Sequence, residues 1–336
     1  NLVLTKEVES FEKKISQFTG SKYCLGVNSG TDALLMSLWA SGIKKGDEDI
    51  TSPISFIASA SAIIHVGAKP VFVDVKNDLN INPDLIEKSI TKKTKAILPV
   101  HWTGRICEMD KILKIAKKYN LTVIEDAAQA MGAYYKKRHA GTFGKISAFS
   151  THPLKNLNAL GDGGFIITNE KKYYNKIKLY RNHGLKGRDR VEILGLNSRL
   201  DSLNAEILSF RLTKLKNIIK RRTKNIEIYK KFIKSKKVKI ITTKRNFVDA
   251  HVMFITLSEN RDRLQKYLLK HGIQSLVYYK TPLHLHKATK FLGYKKGDFP
   301  VAEKLVKKVL SFPHHQNLNE KEIKFVAKKI DNFYEN

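Results

Sequence analysis

The feature that most constrains this chain is a regular alternation of apolar runs and amphipathic stretches between residues 23 and 168. Such alternation favours a mostly parallel sheet covered by helices on both faces. In these sheets ligands gather at the carboxyl ends of the strands. The predicted strands are Tyr23–Val27, Asp49–Ser52, Lys69–Asp74, Thr94–Val100, Leu121–Glu125, Ile146–Ser150 and Gly164–Thr168. Helices are predicted between several of them, among them Thr31–Ser41, Ala58–Val66, Pro83–Ile90 and Asp110–Tyr119.

The pattern changes after Arg199, where a long basic amphipathic helix is predicted from about Ser202 into the 230s. The chain's 336 residues are more than one compact core usually holds. We therefore expect a large domain over residues 1–212 and a smaller C-terminal α+β domain, with its linking helix, over 213–336. The elements predicted for the small domain are strands at Lys237–Thr242 and Val252–Leu257 and helices at Arg261–His271, Val301–Val309 and Glu320–Phe333.

Composition narrows the functional class. The chain has 62 basic and 31 acidic residues, a formal net charge of +31. Most lysines stand at helical spacing beside apolar residues, and no zinc-finger, RNA-recognition or basic–aromatic pattern accompanies them, so we expect a solvated surface and no nucleic-acid partner. Cys24 and Cys107 lack the spacing of a disulfide framework, which indicates reduced thiols in a cytoplasmic protein. The longest apolar stretch, Ile54–Val66, is too short to span a membrane.

Lys155 differs from the other lysines in its surroundings. A strand-like run precedes it, and a glycine-rich turn and a second strand-like run follow. A lysine held between buried strands loses solvent, which lowers its pKa and suits it to form a Schiff base with an aldehyde. Asp126 ends an apolar strand, whereas Glu125 alternates to the other side. A lysine and a carboxylate are the partners of pyridoxal phosphate (PLP), although Asp126 could also be a plain helix N-cap.

The segment Ser29-Gly30-Thr31 follows a strand and opens a helix. Glycine permits a tight turn, hydroxyls can bond phosphate, and the start of a helix presents free N–H groups. The segment therefore predicts a phosphate site, with an ordinary N-cap by Ser29 or Thr31 as the alternative.

Three further side chains are candidates for the same site. Gln129 lies one helical turn beyond Asp126 and could reach the ring hydroxyl of the cofactor. Phe56 could stack on a flat cofactor or belong to the core, and Ser150 could bond phosphate. No pair of histidines shows metal-binding spacing, so we expect no metal.

Several segments together resemble the DegT/DnrJ/EryC1/StrS family of PLP-dependent nucleotide-sugar aminotransferases, and the similarity runs in order along nearly the whole chain. The resemblance implies fold type I (aspartate aminotransferase-like) and a homodimer with shared active sites. The segments are Ser29–Leu34, Glu125–Gln129, Lys155 with its following Gly161-Asp162-Gly163-Gly164, Gly195–Asp201, Pro282–Leu285 and Gly297–Glu303.

The resemblance also implies roles for individual residues. Lys155 would be the Schiff-base lysine and Asp126 the partner of the pyridine nitrogen. Asn197 matches a position that reaches the phosphate of the neighbouring subunit. The other implied cofactor contacts are Ser29, Gly30, Thr31, Phe56, Gln129 and Ser150, and the implied contacts to the sugar or amino donor are His183, Tyr279 and His284.

The segment after Lys155 narrows the reaction. Many members that aminate C4 of the sugar carry a Thr-Thr pair and Glu-Gly-Gly there, whereas this chain reads Asn156-Leu157-Asn158-Ala159-Leu160-Gly161-Asp162-Gly163-Gly164. The resemblance therefore implies transfer of an amino group from L-glutamate to C3 of a nucleotide-linked keto-sugar, for amino sugars of surface polysaccharides such as lipopolysaccharide O-antigen. Amination at C4 or of a long-chain sugar acid, and a non-catalytic regulatory or binding protein, are the alternatives.

Overall fold

The structure is a computed structural model that describes residues 2–335. The described part of the chain contains nine α-helices and thirteen strands. The helices are α1 Lys6–Thr19, α2 Gly30–Ala40, α3 Ile57–His65, α4 Met109–Lys118, α5 Lys171–Tyr180, α6 Ser202–Phe232, α7 Arg261–Lys270, α8 Pro300–Val306 and α9 Glu320–Glu335. The strands are β1 Tyr23–Val27, β2 Glu48–Thr51, β3 Lys69–Phe72, β4 Thr94–Ile97, β5 Thr122–Asp126, β6 Tyr134–Tyr135, β7 Arg138–His139, β8 Ile146–Ser150, β9 Gly164–Thr168, β10 Val238–Ile240, β11 Phe247–Val248, β12 Ile255–Ser258 and β13 Val309–Ser311.

A seven-stranded sheet with the order β1-β9-β8-β5-β4-β2-β3 organises the large domain. Strands β3, β2, β4, β5 and β8 pair in parallel, and β9 pairs antiparallel with both β8 and β1. This confirms the predicted α/β fold with a mostly parallel sheet. The chain runs in the same direction along β1, β5 and β8, so their carboxyl ends meet at one edge.

Helices cover both faces of this sheet, because both faces of its strands are apolar. In β9, Ile166 joins a core cluster formed with α2, α3 and α5, while Phe165 and Ile167 join a second cluster formed with α1, α4 and α6. Each strand thus contributes alternate side chains to two cores. Because helices cover both faces of the sheet, a ligand can reach the strands at their carboxyl ends.

The predicted helix over Pro83–Ile90 is wrong in type. The chain there forms two 3₁₀ turns, Pro83–Leu85 and Glu87–Ser89. The segment buries few side chains, so no apolar stripe holds it in a longer helix. The predicted helix over Val301–Val309 is too long at its end, because the chain leaves α8 at Val306 to pair β13 with β12.

Helix α6 joins the large sheet to a smaller unit with a three-stranded antiparallel sheet, β10-β12-β13, packed by α7 and α9. Its first half contributes Leu208 and Leu215 to the core of the large domain. Its second half contributes Ile226 and Tyr229 to the core of the small unit. We propose a division into 1–212 and 213–336, with the boundary inside α6; Leu215, just beyond it, still packs in the core of the large domain. Among the described residues, no helix combines the length and apolar character needed to cross a membrane.

Asp49 is a buried carboxyl group in the middle of β2. Its side chain is fully buried, and neither carboxyl oxygen has a hydrogen-bond partner among the described residues. Burial raises the pKa of Asp49 well above its usual range, because the charged form is poorly solvated there. Between the pKa of Asp49 in the unfolded chain and its raised pKa in the folded protein, only the folded protein therefore keeps the proton on this carboxyl group.

We expect Asp49→Asn to stabilise the protein at pH 8 and to lose that advantage towards pH 4. As pH rises above the pKa of the unfolded chain, wild-type stability falls by up to about 1.4 kcal/mol per pH unit. Thermal unfolding from pH 4 to pH 8 measures the difference. Exposed, ion-paired Asp84 gives the control Asp84→Asn, which should show no such gain with pH. An Asp49→Asn advantage that does not change with pH would contradict the burial of a protonated carboxyl group.

Candidate active site

A cavity of about 900 Å³ opens between the carboxyl edge of the large sheet and the small domain. The loops after β1, β2, β5 and β8 form one wall, and residues after α6 and around β13 form the other. Most of the predicted site residues lie on this surface. They are Ser29, Gly30, Thr31, Phe56, Asp126, Gln129, Ser150, Lys155 and Tyr279.

Lys155 lies in the loop that follows β8. Burial lowers the pKa of its amine, and the negative charge of Asp126 partly opposes that shift. The loop is held in place by its neighbours: Asn156 donates from Nδ2 to the carbonyl of Ala250, and the N–H of Thr151 donates to the carbonyl of Gly163 at 2.8 Å. The structure thus presents a partly desolvated amine on a fixed loop, as the sequence predicts.

Asp126 ends β5 on the face of the sheet that packs against α3. The residue is 4% exposed, and its carboxyl group accepts a hydrogen bond from the Ser59 hydroxyl at 2.6 Å and one from the N–H of Ala128 at 3.2 Å. Burial raises the pKa of Asp126, and these two donors and the charge of Lys155 oppose the rise. A cationic partner in the cavity would offset the burial of the carboxylate.

Glu125 points to the opposite face of β5 and does not line the cavity. Its carboxylate accepts hydrogen bonds from His101 Nε2 at 2.8 Å, from the N–H groups of Gly141, Phe143 and Gly144, and from the Ser147 hydroxyl. Burial acts to raise the pKa of Glu125, but these donors outweigh it and the pKa is lowered. Strand alternation therefore assigns Glu125 to the interior and Asp126 to the cavity.

Ser29 caps α2, since its Oγ accepts a hydrogen bond from the N–H of Asp32 at 3.0 Å. An N-cap and an anion site are compatible, because the next N–H groups, those of Gly30 and Thr31, still lack acceptors within the helix. Gly30 must be glycine for a steric reason: a Cβ there would lie 2.6 Å from the Cβ of Ser150. The helix start and the end of β8 thus meet closely at the cavity wall.

Gln129 and Phe56 occupy different depths of the cavity. Gln129 is buried, and its Oε1 accepts a hydrogen bond from the N–H of Thr103 at 2.7 Å, which leaves its Nε2 as the donor for a ligand. Phe56 is 54% exposed at the start of α3, and its ring centre lies 6.1 Å from that of Tyr279. Phe56 is therefore a wall residue of the cavity and not a core residue.

Three predicted residues do not line the cavity of their own chain. His183 and Asn197 are exposed on the segment after α5, where the N–H of His183 donates to the carbonyl of Leu196. His284 is buried, with its Nε2 3.1 Å from Glu303 Oε1 and its ring packed edge-on against Phe299. For His284, the contacts with Glu303 and Phe299 take the ring away from the cavity. The cofactor role of Asn197 and the substrate roles of His183 and His284 stay predictions.

Sequence reasoning missed two residues of the site. Ser59, which bonds Asp126, is buried on helix α3, and its hydroxyl lies 2.6 Å from that of Ser55, which precedes the helix. Two serines four residues apart in a largely apolar segment were a readable signal. Arg222 also lines the cavity but stands in the basic run that begins at Lys220, which resembles a solvated face.

The donor set fits a flat aldehyde that carries a phosphate and a basic ring nitrogen. A desolvated amine and a buried carboxyl face the same cavity, and a helix start lies beside them. These are the groups that PLP requires.

Comparison with known proteins then decides the family. The family model described as the DegT/DnrJ/EryC1/StrS aminotransferase family matches residues 2–331. The chain belongs to this family. Its members are PLP-dependent transaminases, so this protein is an aminotransferase with PLP as its cofactor, as the resemblance implied.

Its relatives carry different names. A dTDP-3-amino-3,6-dideoxy-alpha-D-galactopyranose transaminase of Aneurinibacillus thermoaerophilus is 38% identical over 98% of this chain and 91% of the relative. A protein of Geobacillus stearothermophilus that is 40% identical, over 99% of this chain and 90% of its own length, is called a pleiotropic regulatory protein. The solved structure of DesV from S. venezuelae matches with a TM-score of 0.97 and 34% identity, over 100% of this chain and 91% of DesV, which confirms fold type I.

We expect Gly30→Ala to weaken cofactor binding, because the added methyl group forces α2 away from Ser150. A titration of the protein with PLP, followed by the visible absorbance of the bound cofactor, measures the affinity. Gly161→Ala is the matched control, since a Cβ at that position meets nothing within 4 Å. Equal affinities for the two variants would mean that the contact between Gly30 and Ser150 does not shape the phosphate site.

Proposed function

We propose that this protein transfers the amino group of L-glutamate to the C3 keto group of a nucleotide-linked deoxysugar, for amino sugars of surface polysaccharides. The observation that carries the proposal is that the partly buried Lys155 amine and the Asp126 carboxyl line one large cavity. The volume of about 900 Å³ suits a substrate of nucleotide-sugar size. The names of several relatives support the C3 position, among them a dTDP-3-amino-3,4,6-trideoxy-alpha-D-glucose transaminase of Streptomyces venezuelae.

The proposed roles of the cavity residues follow from their chemistry. When bound, PLP supplies an aldehyde that takes up the amino group and a ring that withdraws electrons. Lys155 would hold the aldehyde carbon, and Asp126 would hold the ring nitrogen in its protonated form. The other proposed contacts are Ser29, Gly30, Thr31 and Ser150 to the phosphate, Gln129 to the ring hydroxyl and Phe56 to the ring face.

Proton transfer is the second role proposed for Lys155. Only a neutral amine accepts a proton, and burial favours the neutral form of this lysine. The freed amine would take the α-proton of glutamate and later deliver a proton to the sugar carbon that receives the amino group. Asp126 would stay ionised beside the cationic ring nitrogen of bound PLP, because opposite charges in a buried site stabilise each other. Phe56 and Tyr279 would limit the access of water.

A direct assay tests the proposal. We expect the protein with PLP to convert L-glutamate to 2-oxoglutarate when a 3-keto nucleotide sugar is present, and to work more slowly with the 4-keto isomer. Mass spectrometry of the sugar product and an enzymatic assay of 2-oxoglutarate measure both substrates. Turnover with the 4-keto sugar alone would favour the C4 alternative. No turnover, together with salt-dependent binding of nucleic acid, would favour the non-catalytic alternative.

Lysine variants serve as controls for this assay. Lys155→Ala should leave PLP bound without a covalent link. It should also lower turnover by about a hundred- to ten-thousandfold or more. Lys145→Ala removes an exposed lysine that pairs with Glu170 on the neighbouring surface, and it should leave turnover unchanged. Retained activity in Lys155→Ala would overturn the assignment.

We also propose that two copies of the chain form a homodimer with shared active sites. Exposed apolar side chains cluster beside the cavity, and hydrogen bonds tie their loops together: the N–H of Leu160 donates to Asn204, and Arg211 donates to the carbonyls of residues 158 and 159. A second copy on this surface would explain why His183 and Asn197 are exposed. The apolar side chains are Leu154, Leu160, Leu203 and Phe210.

We expect the wild-type protein to sediment with twice the chain mass of 38.3 kDa. The double substitution Leu160→Asp and Phe210→Asp should shift it to a monomer, because the interface would have to bury two unpaired charges. Leu269→Asp is the control, since Leu269 is equally exposed on the distant helix α7. A monomeric wild-type protein at micromolar concentration would refute the shared site.

A further inference from the structure

One arginine interrupts the buried stripe of α6. Ile219, Ile226 and Tyr229 recur at helical spacing and are buried, and Arg222 stands at the position of the stripe between them. Its guanidinium is partly buried and reaches the wall of the cavity. The adjacent Arg221 is exposed and does not line the cavity. Position on the helix, and not residue type, separates the two arginines.

The hydrogen bonds of Arg222 all go to neutral acceptors. Nη1 donates to the side-chain oxygen of Asn156 and to the carbonyls of His251 and Val252, both at 3.3 Å. Nε and Nη2 donate to Gln316 Oε1, at 3.3 and 3.2 Å. Nη2 carries two hydrogens and has this one acceptor among the described residues. One N–H group is therefore left for a ligand.

The positive charge of Arg222 has no counter-ion in the part of the chain that the structure describes. Burial lowers its pKa to about 10, which still leaves it charged at neutral pH. Next to it, burial lowers the pKa of His314 to about 3, and the charge of Arg222 contributes to that shift. A buried cation without a partner is costly, and an anion bound in the cavity would offset that cost.

We propose that Arg222 binds an anionic oxygen of a substrate at the small-domain wall of the cavity. This inference rests on the proposed function, under which both substrates carry such oxygens: the side-chain carboxylate of the amino donor and the diphosphate of the sugar nucleotide. Arginine suits either group, because its planar N–H groups match the geometry of carboxylates and phosphates.

Binding of two unreactive probes separates the sources of the anion. Glutarate carries the two carboxylates of glutamate without its amine, and UDP or dTDP carries the diphosphate without the sugar. We expect Arg222→Gln to weaken at least one probe by about ten- to a hundredfold in calorimetry on the PLP-loaded protein. Loss of glutarate assigns the donor carboxylate, and loss of the nucleotide assigns the diphosphate. Arg221→Gln is the matched control and should bind both probes like wild type.

Arg222→Lys distinguishes recognition from a structural role, because it keeps the charge without the fork of N–H groups. We expect it to restore part of the probe affinity. Unchanged binding of both probes in Arg222→Gln, or a wild-type protein that binds neither, would overturn the proposal. So would equal weakening of both probes with loss of PLP absorbance, which would identify a structural clamp through Asn156. Probe binding that depends on Arg222 without any turnover would refute the proposed function and leave the anion site standing.

Discussion

The site depends on the hydrogen bonds that the buried carboxylate of Glu125 accepts. It collects the His101 ring and the N–H groups of the turn before β8, and so fixes the end of β5 against the start of β8. Asp126 is the next residue of β5, so the same contacts fix its position at the cavity. Burying the Glu125 carboxylate without these donors would destabilise the fold. The hydrogen bonds of Glu125 on one face of β5 therefore support the position of the Asp126 carboxyl group on the other face.

On the cavity side, the protein itself does not supply full partners for its buried charged groups. Asp126 is buried with two hydrogen-bond donors and feels the charge of Lys155, Lys155 is partly desolvated, and Arg222 carries an uncompensated charge. Each group is costly to bury alone and becomes favourable when a ligand of matching charge arrives. A protein assembled in this way is organised for a cofactor and substrates with several charged groups, with Asp126 and Lys155 on the large-domain wall of the cavity and Arg222 on the small-domain wall.

Much of the fold was readable from the sequence because its signals are local. Strands β1, β8 and β9 begin and end where the apolar runs do, and the glycine-rich turns between them follow from short-range chemistry. The positions of Lys155, Asp126 and Gly30 on the cavity were likewise readable, since each stands at a junction of strand and loop. The 3₁₀ turns over 83–90 were not, because helical spacing over so few residues does not decide the helix type.

The sequence by itself determined the layered sheet, the face on which Asp126 lies and the family, since strand alternation and ordered motifs are properties of neighbouring residues. Only the tertiary structure decided which long-range partners meet. In the folded chain Ser59 bonds Asp126, and His284 contacts Glu303 and does not line the cavity. Arg222 lies on the cavity wall, whereas Arg221 does not. These choices depend on how distant helices pack, and burial by packing is what gives a common residue an uncommon charge environment.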